Sequence, residues 1–546
     1  MTARLLRLGL LTLLTAGGGC FAILITSEPA RTQEPKKEAG ATKVRDSLSV
    51  IQCVGCHGIE EGSLAYQEYA KRDWGGTKAK VTQFVKLNEF VTWSKQDMHS
   101  QAFRRINPVD PEDGKPNPIA AKMQENLKYD ITKQAACLAC HSLDLTPEAP
   151  IPDKHFNTDY GVSCESCHGP ANDWNGLHVQ AEWRGWTPAQ KAAKGMIDLR
   201  DPAKRTEVCV SCHIGNVKEG KFVTHEMYAA GHPPLPAFEL VTFCRDEPGH
   251  YHQPKNEAIE KLDPKAAFER YHYRPMDSEC ADARNLAAGS VGTMKAFADL
   301  LADSASKAGP NDVLDFALFD CYACHHELKI PSFRQDRGYR GVPGRPSLPA
   351  WPGEGTRVLL KSLDADASFA KIKAEYDQST AALQKAIDAR PFGIPAEVAK
   401  TARPLGDACG KLQADLAKLP FDTARTEQLY TAWLDFVKNT PKDKAPGPDG
   451  LFLDYFTAQQ TGWSIRVLQD GLRGRPGLKV TLPPSETAEA RQKALGMAVS
   501  LELRTSKTDN KQPSAELFNA RMKQLGNFDL PPFLDAMTEF VKPGGK

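Results

Sequence analysis

One short pattern, Cys-x-x-Cys-His, occurs five times in this 546-residue chain and restricts its folding more than any other feature. The copies are Cys53-Val-Gly-Cys56-His57, Cys137-Leu-Ala-Cys140-His141, Cys164-Glu-Ser-Cys167-His168, Cys209-Val-Ser-Cys212-His213 and Cys321-Tyr-Ala-Cys324-His325. Each places two thiols one helical turn apart and an imidazole next to the second. Two such thiols can add to the two vinyl groups on one edge of a porphyrin while the histidine reaches the iron, which is how haem c is attached. Zinc knuckles and thioredoxin-like pairs also use close thiols, but neither calls for a histidine after every second cysteine. The expected cofactors are therefore five haem c groups. Cys53, Cys56, Cys137, Cys140, Cys164, Cys167, Cys209, Cys212, Cys321 and Cys324 would carry the thioethers, with His57, His141, His168, His213 and His325 as proximal ligands.

Five porphyrins spread over about 290 residues leave too little apolar side chain for an ordinary core, so the macrocycles must supply much of the interior. The expected fold is mainly α: a haem-packed domain with long loops over residues 48–336, then a helical domain. All 14 histidines lie between His57 and His326, and the 220 residues that follow contain none. A Pro/Gly-rich stretch at 337–355 reads as the linker between the two. Beyond it, Val358, Leu359, Leu363, Phe369, Ile372 and Tyr376 recur at helical spacing, as do Leu429, Trp433, Phe436 and Val437, and again Tyr455, Trp463, Val467 and Leu468. A bundle of four to six helices over 356–543 is expected, with structural, docking or dimerisation work.

The N-terminus places Arg4 and Arg7 before an uncharged run from Leu8 to Thr26. Positive residues before an apolar run mark export, so residues 1–27 read as a signal peptide or an N-terminal membrane anchor, and 28–47 as a flexible linker. A periplasmic or other extracytoplasmic location is expected, with a membrane tether if the segment is retained. No basic block suggests nucleic acid; the formal charge is +1, and ten ionised haem propionates would bring it to about −9.

Nine histidines remain for sixth positions: His99, His155, His178, His225, His232, His250, His252, His272 and His326. Met98, Met123, Met196, Met227, Met276 and Met294 offer the thioether alternative. Cys244 and Cys280 lie outside the repeats, where an oxidising compartment would permit a bridge, and Cys409 reads as a core residue.

The block Gly161-Val-Ser-Cys-Glu-Ser-Cys-His-Gly-Pro170 resembles multihaem cytochromes related to the tetrahaem cytochrome c-552/c-554 family, electron acceptors of hydroxylamine oxidation. Trp93-Ser-Lys-Gln-Asp-Met-His99 and Trp174-Asn-Gly-Leu-His178 look like segments of that group which give a distal histidine to another position's haem. The blocks around His225 and His232, and around Cys321 to His326, resemble planctomycete-type multihaem proteins. The resemblance covers about residues 48–340. It implies His99, His178, His225 and His232 as distal ligands and leaves the fifth open. That family has four attachment sites and this chain five. Pentahaem nitrite reductases share the count but typically end one motif in Lys, whereas all five here end in His. The expected role is an electron carrier between donor and acceptor redox proteins. The alternative is an oxidoreductase acting on a small nitrogen or sulfur compound at an open-coordinate haem.

Overall fold

The computed structural model describes residues 48–60, 63–71, 85–111, 113–143, 158–250, 279–326, 330, 342–442, 450–451, 454–484, 495–496 and 528–543. The export segment, the 28–47 linker, His155, His252, His272 and Met276 lie outside these. Residues 45–546 form one compact unit. It is mainly α: among the described residues the chain forms helices and turns, with isolated bridges such as Val109–Pro116 and Asn216–Lys221.

The first half is made of short helices. Those used below are, in chain order, α1 (Ile51–His57), α2 (Glu89–Gln96), α3 (Pro118–Leu127), α4 (Ala135–His141), α5 (Cys164–His168), α6 (Pro202–His213), α7 (His225–Ala230) and α8 (Leu240–Asp246), with further short helices at Leu64–Lys71, Ala181–Gly185 and Pro188–Ala192. Helices this short are marginal alone. Local chemistry sets their ends. Asn117 accepts from the Ala120 N–H at the start of α3, Asp201 from Ala203 at α6 and Thr224 from Met227 at α7, with proline in the first turn of α3 and α6. Packing adds little, since α1 and α4 contain no buried residue. Apolar contacts here form two small clusters, one around Phe103, Ile106, Met123 and Ile131, the other around Ala171, Trp174 and Trp183.

The second half is built differently. Helix α9 (Ala281–Lys307) runs 27 residues, followed by α10 (Trp351–Ser362), α11 (Ala370–Asp388), α12 (Pro395–Leu416), α13 (Thr423–Lys438), α14 (Tyr455–Leu472) and α15 (Leu530–Val541). One continuous core joins them, and Trp433, Trp463, Tyr430 and Phe533 are among its fully buried side chains. The periodic residues expected to face a core do so. Helix α9 was not anticipated: it falls within the stretch assigned to haems, yet 18 of its residues are buried and it packs along α12. The 337–355 stretch does not separate two cores. Helix α10 already begins at Trp351, and the main cluster extends back to Val210 and Ile214 of the haem-motif region.

Small residues make this fusion possible. A Cβ on Gly292 of α9 would come within 2.6 Å of Thr206 Cγ2 on α6, so glycine lets the two helices meet. Thr206 is fully buried, and its hydroxyl donates back to Pro202 O at 2.6 Å. The wall of the helical core thereby holds the helix that bears Cys209, Cys212 and His213.

Cys244 and Cys280 do not form the bridge that the sequence permitted. Both are free thiols; Cys280 donates to Gly471 O at 3.5 Å, and Cys244 on α8 lies near Cys209. Cys409 is buried in the core, as expected. Among the described residues no helix is long and apolar enough to cross a membrane.

Candidate functional site: five paired histidines

Four of the five motifs are helical, in α1, α4, α5 and α6, so their thiols and imidazole emerge on consecutive turns. The fifth is a tight 3-10 turn, Cys321–Ala323, capped by the Asp320 carboxylate accepting from Tyr322 N–H at 3.0 Å.

Each motif histidine faces one other histidine. Numbering the pairs by motif, His57 faces His178 with ring centres 6.3 Å apart, and His141 faces His232 at 6.4 Å. His168 faces His250 at 6.3 Å, His213 faces His99 at 6.3 Å and His325 faces His225 at 6.2 Å. The four distal candidates His99, His178, His225 and His232 thus each meet a different motif. His250, which the sequence did not single out from its neighbours, completes the set. His325 pairs with His225 and not with adjacent His326. Of the methionines, Met123 and Met294 are buried in apolar clusters and Met196 packs beside the tryptophans.

Hydrogen bonds orient the rings. His57 Nδ1 donates to Glu89 Oε2 at 3.0 Å and His99 Nδ1 to Asp97 Oδ1 at 2.9 Å. His141 donates to Ala102 O at 2.8 Å, His232 to Pro233 O at 2.8 Å, His250 to Pro248 O at 3.3 Å, and His178 to Asn175 O. Since carbonyls and carboxylates only accept, Nδ1 carries the proton in these rings and the Nε2 lone pair stays available. Burial lowers the pKa of His168, His213 and His232 to about 4, so they are neutral at pH 7, the form a metal requires. His57 and His99 go the other way: burial works against their charge, but the Glu89 carboxylate raises the first ring and the Asp97 carboxylate lifts the second to about 9. Ligand atoms of Asp97, His99 and Glu247 lie within 4.8 Å of one another, which makes this group part of the fourth pair's surroundings.

The residues fit haem. An iron bonded to two imidazole nitrogens at about 2 Å holds the ring centres about 6.3 Å apart, allowing for the distance from each nitrogen to its ring centre. All five pairs have that spacing. Large apolar side chains are exposed beside them, as a macrocycle needs: Ile51 two residues before Cys53, Val179 after His178, and Phe316 with its ring 5.4 Å from His225.

The pairs are not arranged in sequence order. The Cys53 thiol lies against Cys164, joining motifs 1 and 3. Cys167 is near Cys209 and Cys212, joining 3 and 4, and Cys212 lies against Cys140, joining 4 and 2. Helix α7 begins with His225 and ends just before His232, and Tyr228 between them stacks edge-on to His232 at 5.7 Å and lies near Cys321, joining 2 and 5. The spatial order is 1-3-4-2-5. Among the described residues, the exposed thiols are Cys56, Cys321 and Cys324, which belong to the two ends.

Two of the segments quoted above are bound together. Trp93 Nε1 donates to Val162 O at 3.0 Å, and Val162 N–H donates to His99 O at 3.0 Å. Gly161, at φ +59°, allows this: a Cβ there would lie 2.6 Å from His99 O. This same region carries the match to known proteins. Residues 87–169 match the family of cytochrome c554 and c-prime. Over that segment the chain resembles c-type cytochromes, whose cofactor is haem c, and the match supports a c-type cytochrome working in electron transfer with other redox proteins. No curated protein and no solved structure compared with the chain matches it.

Proposed function

We propose that this chain is an exported carrier of electrons that binds five haem c groups, each through two thioethers and two histidines, and relays electrons along the order 1-3-4-2-5. The supporting observation is the set of five histidine pairs at 6.2–6.4 Å, one for every attachment motif. Each bound haem would supply a one-electron iron couple. The protein's work is to set ten imidazoles opposite one another in pairs, to bring attachment thiols of successive motifs side by side, and to cover the middle of the line. Phe238 and Phe243 pack on His213, and Trp463 of the helical core packs on Phe243. These contacts cover the central position and join it to the main apolar core.

An oxidoreductase would need one iron with an open sixth position, and each motif histidine has an imidazole opposite at the spacing of two rings bonded to one iron. The carrier reading is therefore the one favoured. Export rests on the N-terminal apolar run and on thioether attachment, and retention of that run would tether the relay to a membrane surface. Intact mass should show five haem additions, and low-temperature EPR should show low-spin iron only. A high-spin component that shifts on adding nitrite or hydroxylamine would overturn the carrier reading. His250→Ala should convert one haem to high spin.

A further inference from the structure

Among the described residues, His57 and His99 each donate to a carboxylate, and they belong to different pairs. We infer that Glu89 and Asp97 are positioning residues that set the potentials along the line, making pairs 1 and 4 the low-potential sites. The inference rests on the five-site reading above and concerns how those sites differ.

The reasoning begins with the acceptors. His57 gives its Nδ1 proton to Glu89, and His99 gives its own to Asp97. His141 and His232 of pair 2 and His250 of pair 3 give their Nδ1 protons to the backbone carbonyls of Ala102, Pro233 and Pro248. A carboxylate draws that proton harder than a carbonyl does and increases the electron donation of the ring toward iron, which favours the ferric state and lowers the potential. Both carboxylates are held in place. Glu89 Oε1 accepts from Lys86 N–H at 2.6 Å, and Asp97 Oδ1 also accepts from His99 N–H at 2.9 Å. Their side chains are 16% and 6% exposed, so water screens them little. Around pair 4, Lys221 and Arg205 stand on the side of the attachment thiols and oppose the effect, while Glu247 adds to it. In spatial order the carboxylate-bonded sites alternate with others, since 1 and 4 are separated by 3. Electrons would meet a low-potential site at one end of the line and another at its middle.

Ring geometry makes the two sites separately observable. The imidazole planes are near parallel in pairs 1 and 5, at 17° and 24°, and near perpendicular in pairs 2, 3 and 4, at 76°, 72° and 88°. Parallel rings donate into the same iron d orbital and split the pair of π orbitals, giving a rhombic low-spin EPR signal. Perpendicular rings leave those orbitals nearly equal and give a strongly anisotropic signal with a large maximum g value.

The test is an EPR-monitored redox titration of the fully loaded protein and of Glu89→Gln and Asp97→Asn, whose amides keep an acceptor for the ring. In the unaltered protein, the lower-potential rhombic signal should belong to pair 1 and the lowest strongly anisotropic signal to pair 4. Glu89→Gln should raise only the former and Asp97→Asn only the latter, each by about ten-fold or more in its reduction equilibrium, or 59 mV for one electron. Glu89→Asp, which keeps the charge, should return toward the original value. The inference is overturned if the two midpoints stay in place, if all five move together, or if Glu89→Asp behaves like Glu89→Gln. Fewer than five haems by mass, or high-spin iron in the unaltered protein, would instead fail the five-site reading.

Discussion

Residues 48–250 and 281–541 have similar helical character and opposite interiors. In the first, α1 and α4 bury none of their own residues, and before α6 apolar contacts form two small clusters, the main core reaching back only to Val210. In the second, one cluster runs through α9 to α15 and buries several tryptophan, tyrosine and phenylalanine side chains completely. The contrast teaches where each part gets its stability. The second half obtains it by removing apolar side chains from water. The first half has eight motif thiols and nine paired imidazoles where a core would be, so its interior would be completed by the groups proposed to bind there. Helix α6 belongs to both, since its Thr206 seats against Gly292 while its last turns carry Cys209, Cys212 and His213.

The strongest way to break this comparison is to produce the chain without haem attachment. Hydrogen exchange should then show loss of protection across 51–57, 135–141 and 164–168, while 281–307, 395–416 and 455–472 stay protected. Uniform loss would mean that the second half depends on the first for its fold.

Next in size is Trp463→Ala, which empties a fully buried site on α14 and should cost about 3–5 kcal/mol in denaturant unfolding. Because Trp463 packs on Phe243, and Phe243 on His213, the EPR signal of pair 4 should also shift while that of pair 1 does not. Equal shifts in both would show that the wall formed by the second half acts on the whole line.

The smallest effect belongs to Glu165, inside the third motif. Its Oε1 accepts from Leu48 N–H at 2.8 Å and Ala171 N–H at 2.6 Å, while Oε2 is buried without a hydrogen-bond partner. Burial lifts its pKa from 4.5 to about 7, against the two backbone N–H groups that favour the anion. The folded state therefore keeps a proton that the unfolded chain has already released. This contribution is complete below pH 4.5, is lost as pH rises to about 7, and amounts to about 3 kcal/mol at most. Stability of Glu165→Gln should lack that fall between pH 4.5 and 7. A parallel fall in the variant would remove Glu165 as its source.

Much of the candidate site was legible in the chain because covalent attachment demands a fixed local spacing. Ten cysteines and five histidines announce themselves within five-residue windows, and His99, His178, His225 and His232 sit in segments that resemble known ones. His250 could not be separated from His252 and His272, since a sixth ligand is defined by what lies opposite it and not by its neighbours in sequence. The same applies to Glu89, 32 residues from the ring it holds. Helix α9 escaped notice because its Ala, Gly and Ser residues carry weak periodicity, and closeness to α6 and α12 is what they provide.

The sequence by itself determined the five Cys-x-x-Cys-His motifs, the confinement of every histidine to residues 57–326 and the mainly helical character, because each follows from spacing along one short stretch of chain. Only the tertiary structure decided which imidazole faces which, the order 1-3-4-2-5, and the fusion of both halves through α6 and α9. Those are contacts between distant segments, and they follow from helix ends, glycine clearances and packing that no local pattern records.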